Sequence, residues 1–424
     1  MAPMTTNLST PKGMRLHIAI LGRRNVGKSS LLNAIVRQQV SLVSDVAGTT
    51  TDPVEKPMEF LPLGPVLFID TAGIDDEGAL GGLRVQRTKE VFDRTDLAVI
   101  VAAGEWGTFE DALIHEMQTR KAPVVVAWSK SDAQPASAEL LATLRERGLH
   151  VVETSAVTGA GLWDLRQALL GQAPADLLDA PSIVGDLVGP GELAVLVVPI
   201  DKEAPKGRLI LPQVQVLRDL LDHDAFGLVV KERELRAALS RQQVPPRLVI
   251  TDSQALLKVA ADTPPDVPLT TFSILFARLR GDLVSQVEGA LAIERLRPGD
   301  RVLVAEACAH HPIGEDIGRV KIPRWLTQYV GGSLDFHHVQ GHDFPADLSS
   351  YRLVVHCGSC TLNRREVLSR ILRARAAGVP FTNYGLCIAY SLGIFSRALG
   401  PFPAALDVVL RHEQTRRHTR QAQT

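Results

Sequence analysis

The sequence predicts an α/β protein in which an N-terminal doubly wound domain, built around a phosphate-binding loop, is followed by two further α/β units. Three observations carry this. Short apolar runs alternate with amphipathic helical patterns along the chain. Gly22-Arg-Arg-Asn-Val-Gly27-Lys28-Ser29 stands between a strand pattern and a helix pattern, the context in which G-x-x-x-x-G-K-[ST] has physical meaning. Two turn-rich stretches, Ala173 to Gly191 and Asp262-Thr-Pro-Pro-Asp-Val-Pro268, divide the chain into segments 1–172, 173–264 and 265–424.

In the first segment Leu16-His-Ile-Ala-Ile-Leu21, Val66-Leu-Phe-Ile69, Leu97-Ala-Val-Ile-Val101, Val124-Val-Val-Ala-Trp128 and His150-Val-Val-Glu153 read as strands, with helical patterns between most of them. The stretch from Ala173 to Gly191 reads as a linker. In the middle segment Leu193-Ala-Val-Leu-Val-Val198, Phe226-Gly-Leu-Val-Val230 and Arg247-Leu-Val-Ile250 read as strands, and Gln213 to Asp222 and Glu232 to Ser240 as helices. It carries no catalytic motif. The last segment holds all four cysteines, with strands expected over Arg301-Val-Leu-Val-Ala-Glu-Ala307 and Tyr351-Arg-Leu-Val-Val355 and a helix from about Asn363. No sequence repeat is evident, although three α/β units in series raise the question.

Composition sets the boundaries. A chain of 424 residues with 45% apolar content can bury several cores. A formal net charge of −1 gives no overall electrostatic case for nucleic acid or an anionic membrane. The basic tail from Arg411 to Arg420 reads as a solvated terminus. No run of about eighteen apolar residues suggests a span, and Met1 to Lys12 lacks a secretory pattern, so a cytoplasmic protein is expected. The cysteine usage suits a reducing compartment.

The loop residues Gly22, Asn25, Val26, Gly27, Lys28, Ser29 and Ser30 form a nucleotide site in expectation. The glycines let backbone N–H groups approach phosphate oxygens, Lys28 reaches the β and γ phosphates, and Ser29 binds Mg²⁺. Asp70-Thr-Ala-Gly73 ends an apolar strand, where Asp70 can hold Mg²⁺ through water and the Gly73 N–H can meet the γ-phosphate. Gly48-Thr-Thr50 lies in a polar loop where a switch threonine belongs, Thr50 reaching Mg²⁺. Ser129-Lys130-Ser131-Asp132 ends in a carboxylate able to accept the N1 and N2 protons of guanine. Ser155-Ala156 can contact guanine O6 through its backbone.

In order and spacing these elements resemble the small GTPases of the group that includes Era, Der and the tRNA-modification GTPase MnmE. The resemblance implies a P-loop GTPase domain that binds GTP and GDP with Mg²⁺ and turns GTP into GDP and phosphate. Two departures matter. Ser129 stands where the group has asparagine, and Ile74 stands where Ras-like enzymes place the glutamine that orients water. The first implies reduced guanine affinity, because a serine replaces only part of the amide's hydrogen bonding; the second implies that hydrolysis is slow or assisted. Asn25 matches the asparagine that in the MnmE-like group helps bind K⁺, implying K⁺ stimulation; its alternative reading is a turn cap.

Cys308-Ala-His310 and His356-Cys357-Gly-Ser-Cys360 follow the two strand patterns of the last segment, where parallel sheets place ligands. By spacing alone these residues suit tetrahedral zinc or an iron–sulfur cluster. Together with the GTPase elements, a motif-free middle unit, Thr271-Phe-Ser-Ile-Leu-Phe-Ala-Arg-Leu-Arg-Gly-Asp282 and Asp316-Ile-Gly-Arg-Val-Lys-Ile-Pro-Arg-Trp325, they resemble HydF, the family of FeFe-hydrogenase maturation GTPases. That resemblance implies a 4Fe-4S cluster on Cys308, Cys357 and Cys360, with a fourth position open or weakly ligated. It also implies a scaffold that accepts a transient di-iron precursor from two radical-SAM maturases and delivers it to apo FeFe-hydrogenase, the middle unit forming a homodimer. His310 and His356 are candidates for the fourth position or for hydrogen-bonding support, the latter favoured for His356. Cys387 reads as a packing cysteine, and Arg319, Lys321 and Arg324 as a basic cluster that attracts an anionic precursor or a solvated face. Two other readings stand beside this one: an RNA- or ribosome-associated GTPase with a structural zinc module, and a metal-trafficking or sensor protein switched by GTP.

Overall fold

The computed structural model describes residues 10–37, 54–71, 88–174, 182–199, 209–307 and 316–421. The chain divides into two compact bodies, residues 1–180 and 181–424. Among the described residues no helix is long and apolar enough to cross a membrane.

In the first body six strands, β1 (Leu16–Leu21), β2 (Val54–Phe60), β3 (Gly64–Asp70), β4 (Leu97–Ala102), β5 (Val124–Trp128) and β6 (His150–Glu153), form one sheet in the order β2-β3-β1-β4-β5-β6. All neighbours are parallel except β2 and β3. Alternation along each strand supplies two cores. Ile18 and Ile20 face the helices Lys28–Arg37 and Leu162–Gln172, whereas Ala19 and Leu21 face the helices Thr108–Thr119 and Ala138–Glu146. Burial on both faces explains why these strands read as continuous apolar runs. β2 was not expected. It is an edge strand with exposed and half-buried positions and a proline, Pro57, a pattern that an apolar-run search passes over.

The second body holds two four-stranded sheets. β7 (Leu193–Val197), β8 (Phe226–Val230), β9 (Leu248–Thr251) and β10 (Leu269–Thr271) lie in the order β8-β7-β9-β10; β11 (Arg301–Glu306), β12 (Asp335–Gln340), β13 (Leu353–His356) and β14 (Phe381–Asn383) lie in the order β12-β11-β13-β14. All these pairings are parallel. Each sheet thus places its second strand outermost, then its first, third and fourth. The likeness extends to the last strands: β10 and β14 are three residues long and run straight into helices, Phe272–Arg280 and Tyr384–Ser391, capped by the side chains of Thr271 and Asn383.

The two sheets meet through these equivalent positions. Asn383 Nδ2 donates to Ser273 O at 2.7 Å and to Ser273 Oγ at 3.1 Å. A Cβ on Gly385 would lie 2.8 Å from Ser273 Cβ and 3.0 Å from Thr271 Oγ1, so only glycine fits there. The contacts are reciprocal, as across a two-fold axis. One continuous core joins β7, β9 and β10 to Leu275, Phe276, Val287, Leu386 and Val409 from the helices of the seam.

Two expectations about the chain's divisions meet structural facts here. The stretch read as a linker is packed from residue 182 on: Asp219 accepts hydrogen bonds from Ser182 Oγ and from the Val184 and Gly185 amides, and Ile183, Val184 and Val188 are buried. Its Pro, Gly and Asp content masked these three apolar residues. β10, beyond the 264/265 division, pairs in parallel with β9, so the middle sheet continues past that point.

Candidate functional site

Two sites take shape, one in each body, and both lie at the C-terminal ends of parallel strands. In the first body β1 leads into the loop at Gly22 to Gly27 and then into the helix Lys28–Arg37. Gly22 has φ of 150°, and a Cβ there would lie 2.2 Å from the Val101 carbonyl oxygen of β4. Glycine is obligatory at that point. Asn25 is also left-handed, with φ of 61°. Val26 is buried and anchors the loop, while Asn25 and Ser30 are exposed. Lys28, nearly buried, donates from Nζ to Gly22 O at 2.8 Å and to Arg23 O at 2.6 Å.

Asp70, at the end of β3, faces the start of the helix. Ser29 Oγ donates to its Oδ2 at 2.6 Å, and its Oδ1 is buried with no hydrogen-bond partner. Burial raises the Asp70 carboxyl above its ordinary value, against the opposing pull of Ser29 and Lys28. A hydroxyl and a carboxylate with one unsatisfied buried oxygen are hard donors, a set that fits Mg²⁺.

The base-side loops stand at the ends of β5 and β6. Ser129 N donates to Ala102 O, Ser131 N to Thr154 O at 3.1 Å and Thr154 N to Trp128 O at 2.7 Å, so the two loops are laced side by side. Lys130, with φ of 59°, donates from Nζ to Asn25 O at 2.7 Å and so reaches over the phosphate loop. Ser129 is buried, its Oγ 2.8 Å from where a Cβ of Gly27 would stand. Asp132 is exposed, free to meet solvent-borne donors. Ser155 is buried and its Oγ accepts from the Val157 and Thr158 amides, which shapes the turn that presents Ala156. Thr50, Gly73 and Ile74 lie outside the described residues. Sequence reasoning missed one feature: Arg23 in the loop pairs with Glu110, fully buried on the helix Thr108–Thr119.

In the second body β11 and β13 are parallel neighbours, with Ala305 opposite His356. The turn after β13 carries Cys357 and Cys360 and runs to Asn363, whose side chain caps the helix Arg364–Ala376 by accepting from the Glu366 amide at 3.1 Å. Cys357 Sγ accepts N–H groups from Ala307 at 3.0 Å and Ser359 at 3.5 Å, and Cys357 N donates to Ala305 O. Cys360 is half-buried at the margin of the large core, and burial pushes its thiol up. Cys308 and His310 lie outside the described residues. Among the described residues no group of three or more His, Cys, Asp or Glu could hold a metal ion. The two thiols of this turn, Cys357 and Cys360, are nonetheless soft donors at one strand end, and they fit zinc or iron–sulfur chemistry.

His356 is buried, and protein atoms engage both its ring nitrogens. Arg370 donates to Nε2 at 2.9 Å; because a guanidinium only donates, the ring proton sits on Nδ1, which faces Cys357 O and Ser359 Oγ at 3.0 Å each. Burial, and then Arg370, hold the ring's pKa down at about 3. Arg370 in turn pairs with buried Glu366 at 2.7 Å, which meets His342 at 3.1 Å. Cys387 lies in the helix Tyr384–Ser391 within an apolar core, its thiol pushed by burial to about 12. Of the basic cluster, Arg319 lies 3.9 Å from Glu306 and Lys321 donates to Gln254 Oε1 at 2.8 Å.

Three family models match the chain: a 50S ribosome-binding GTPase over 17–130, the hydrogen maturase F dimerization domain over 183–281 and the hydrogen maturase F tetramerization domain over 284–401. Curated relatives match part of the chain. The tRNA modification GTPase MnmE of Aquifex aeolicus is 35% identical over 169 residues, 39% of this chain and 36% of that protein. GTPase Der of Wolinella succinogenes is 46% identical over 89 residues, 20% of this chain and 19% of that protein. The chain thus spans little more than a third of the length of these relatives at most. Among solved structures, the G domain of the T. maritima FeoB iron transporter is 23% identical, with 37% of this chain and 98% of that one covered at a TM-score of 0.30. Aquifex aeolicus Era is 20% identical, with 51% and 93% covered at 0.32. At these scores the structural likeness adds nothing to the assignment.

Proposed function

The chain belongs to the hydrogen maturase F family, whose two models together cover about half of it, and on that premise we propose that it is a GTP-hydrolysing iron–sulfur scaffold for FeFe-hydrogenase assembly. The observation that carries the reading is the coexistence in one chain of the Lys28, Ser29 and Asp70 constellation with the amide-supported Cys357 turn inside the maturase region.

In the nucleotide site the loop amides and Lys28 bind the phosphates, Ser29, Asp70 and Thr50 hold Mg²⁺, and Gly73 meets the γ-phosphate. Asp132 selects guanine, with Lys130, Ser155 and Ala156 shaping the base pocket. With Ile74 in place of a glutamine, hydrolysis is slow, and Asn25 helps hold K⁺ as the cation that assists it. Cys308, Cys357 and Cys360 hold a 4Fe-4S cluster, which when bound supplies an iron with an exchangeable ligand position. The double engagement of His356 supports a role for it in holding the Cys357 carbonyl, which leaves His310 or an exogenous group for that position. The cargo is a di-iron precursor built by two radical-SAM maturases and destined for apo-hydrogenase. The three segments divide the work as nucleotide, dimerisation and cluster units in the cytoplasm. The edge strand β8, with Phe226 61% and Val229 39% exposed, supports pairing with a second copy.

Anaerobic reconstitution with iron and sulfide tests the proposal. Broad absorption near ~400 nm, an EPR signal on reduction and loss of both in Cys357→Ser are expected. A colourless protein with one tight zinc per chain would refute it and favour the RNA-associated reading.

A further inference from the structure

We propose that Arg23 and Glu110 form a positioning pair that holds the phosphate loop in its binding shape, acting through the wall against which Lys28 rests. The proposal rests on GTP binding at this loop. Glu110 is fully buried in the first turn of the helix Thr108–Thr119, where its Oε2 accepts from the Gly107 amide at 3.0 Å. The same carboxylate takes both arms of Arg23, Nε to Oε1 at 2.7 Å and Nη2 to Oε2 at 3.0 Å. The guanidinium also lies 5.3 Å from the centre of the Phe109 ring. Such a bidentate fork fixes angle as well as distance.

The backbone of the same residue touches the phosphate-binding machinery. Arg23 O accepts Lys28 Nζ at 2.6 Å, so one residue is clamped by its side chain to the helix after β4 and supports the phosphate-binding lysine by its carbonyl. With Glu110 buried and Arg23 35% exposed, desolvation of the carboxylate offsets much of the attraction, so the pair is a poor net stabiliser, but it does impose a single geometry. Here that geometry belongs to a loop whose purpose is to present N–H groups at fixed points. Asp111, next to Glu110 on the same helix, pairs with Arg147 at an exposed position, and Arg147 and Trp106, which both donate to it, lie outside the phosphate loop, which makes Arg147 a natural control.

Fluorescent GTP and GDP analogues measure the effect. In Glu110→Gln, which keeps an acceptor for Gly107, and in Arg23→Met, the Kd values for GTP and GDP should both rise about tenfold, the worth of one charge-assisted hydrogen bond. Because the loop grips phosphates common to both nucleotides, kcat at saturating GTP should change less than about threefold while KM rises. Arg23→Lys should recover part of the loss, and Arg147→Met should leave binding unchanged. The double variant Arg23→Met/Glu110→Gln leaves no buried charge unpaired, so it reports even where a single variant fails to fold, and its Kd should be no worse than either single one. Wild-type Kd values in folded Glu110→Gln, or losses that add in the double variant, would overturn the pair's role. Absence of GTP binding by the unmodified protein would sink the GTP reading itself.

Discussion

Removing Arg370 should destabilise the second body sharply, even with no metal present. Its guanidinium is 2% exposed and donates to His356 Nε2, Gly341 O at 2.8 Å and Glu366 Oε1. Methionine fills nearly the same length, so Arg370→Met changes packing little and chiefly strips the partner from a carboxylate that is 5% exposed. Breaking a buried pair from one side costs about 3–5 kcal/mol. His342 remains on Glu366, which puts the expected loss at the lower end. For a body of this size each kcal/mol lowers the midpoint by about 2–4 °C, so a fall on the order of 10 °C is expected. Calorimetry of metal-free protein measures it. Adding Glu366→Gln should restore at least half the loss, because the stranded charge is then gone. A shift under about 2 °C, or a double variant no more stable than the single one, would refute the reasoning.

Lys28→Ala should abolish GTP hydrolysis while iron content after reconstitution is unchanged; iron loss would show that the two sites are not independent. If Asp132 accepts guanine's two donors as proposed, GTP should outcompete ATP in binding, and equal competition would remove that role. Exchanging K⁺ for Na⁺ should lower the GTPase rate beyond any general salt effect, whereas an unchanged rate would return Asn25 to a turn-forming role. Burial alone would raise the Glu55 carboxyl, but Arg94 and Lys12 beside it hold it at about 2, below its ordinary 4.5. The stability this contributes is complete above that ordinary value and is lost as pH falls toward 2. Acid titration of Glu55→Gln by circular dichroism should therefore show a shallower decline from pH 4.5 to 2, and an identical curve would show that the pair contributes nothing.

Where local chemistry dictated the outcome, the sequence was readable. Strands buried on both faces, such as β4 and β5, have no polar positions to obscure them and β1 has only His17, and the loop between β1 and its helix is recognisable because Gly22 has no substitute. Asn363 was legible as a helix start for the same reason: its side chain has a fixed task. The edge strands β2 and β12 were not, unlike the edge strands β6 and β8. β2 and β12 carry charged or histidine-rich runs, because one side of each meets solvent, and their pairing is decided by neighbours distant in sequence. The Arg23–Glu110 pair spans 87 positions, and only the capping pattern at Gly107 hinted that Glu110 was special. The ring of contacts around His356 was invisible likewise, since Arg370 and Glu366 read as ordinary charged residues of a surface helix.

The common strand order of the two sheets in the second body makes a comparison within a single molecule possible. Asp252 and Ser253 follow β9 where Cys357 and Gly358 follow β13, so one scaffold appears twice, once with sulfur at that strand end and once without. Between the two copies the turn residues after β9 and β13 differ, while the strand order and the capped helices that follow β10 and β14 stay alike. The copy without cysteines in that turn is an internal reference: a property shared by both halves belongs to the architecture, and a property confined to the second belongs to the residues in which it differs, Cys357 and Cys360 and the His356–Arg370–Glu366 network among them.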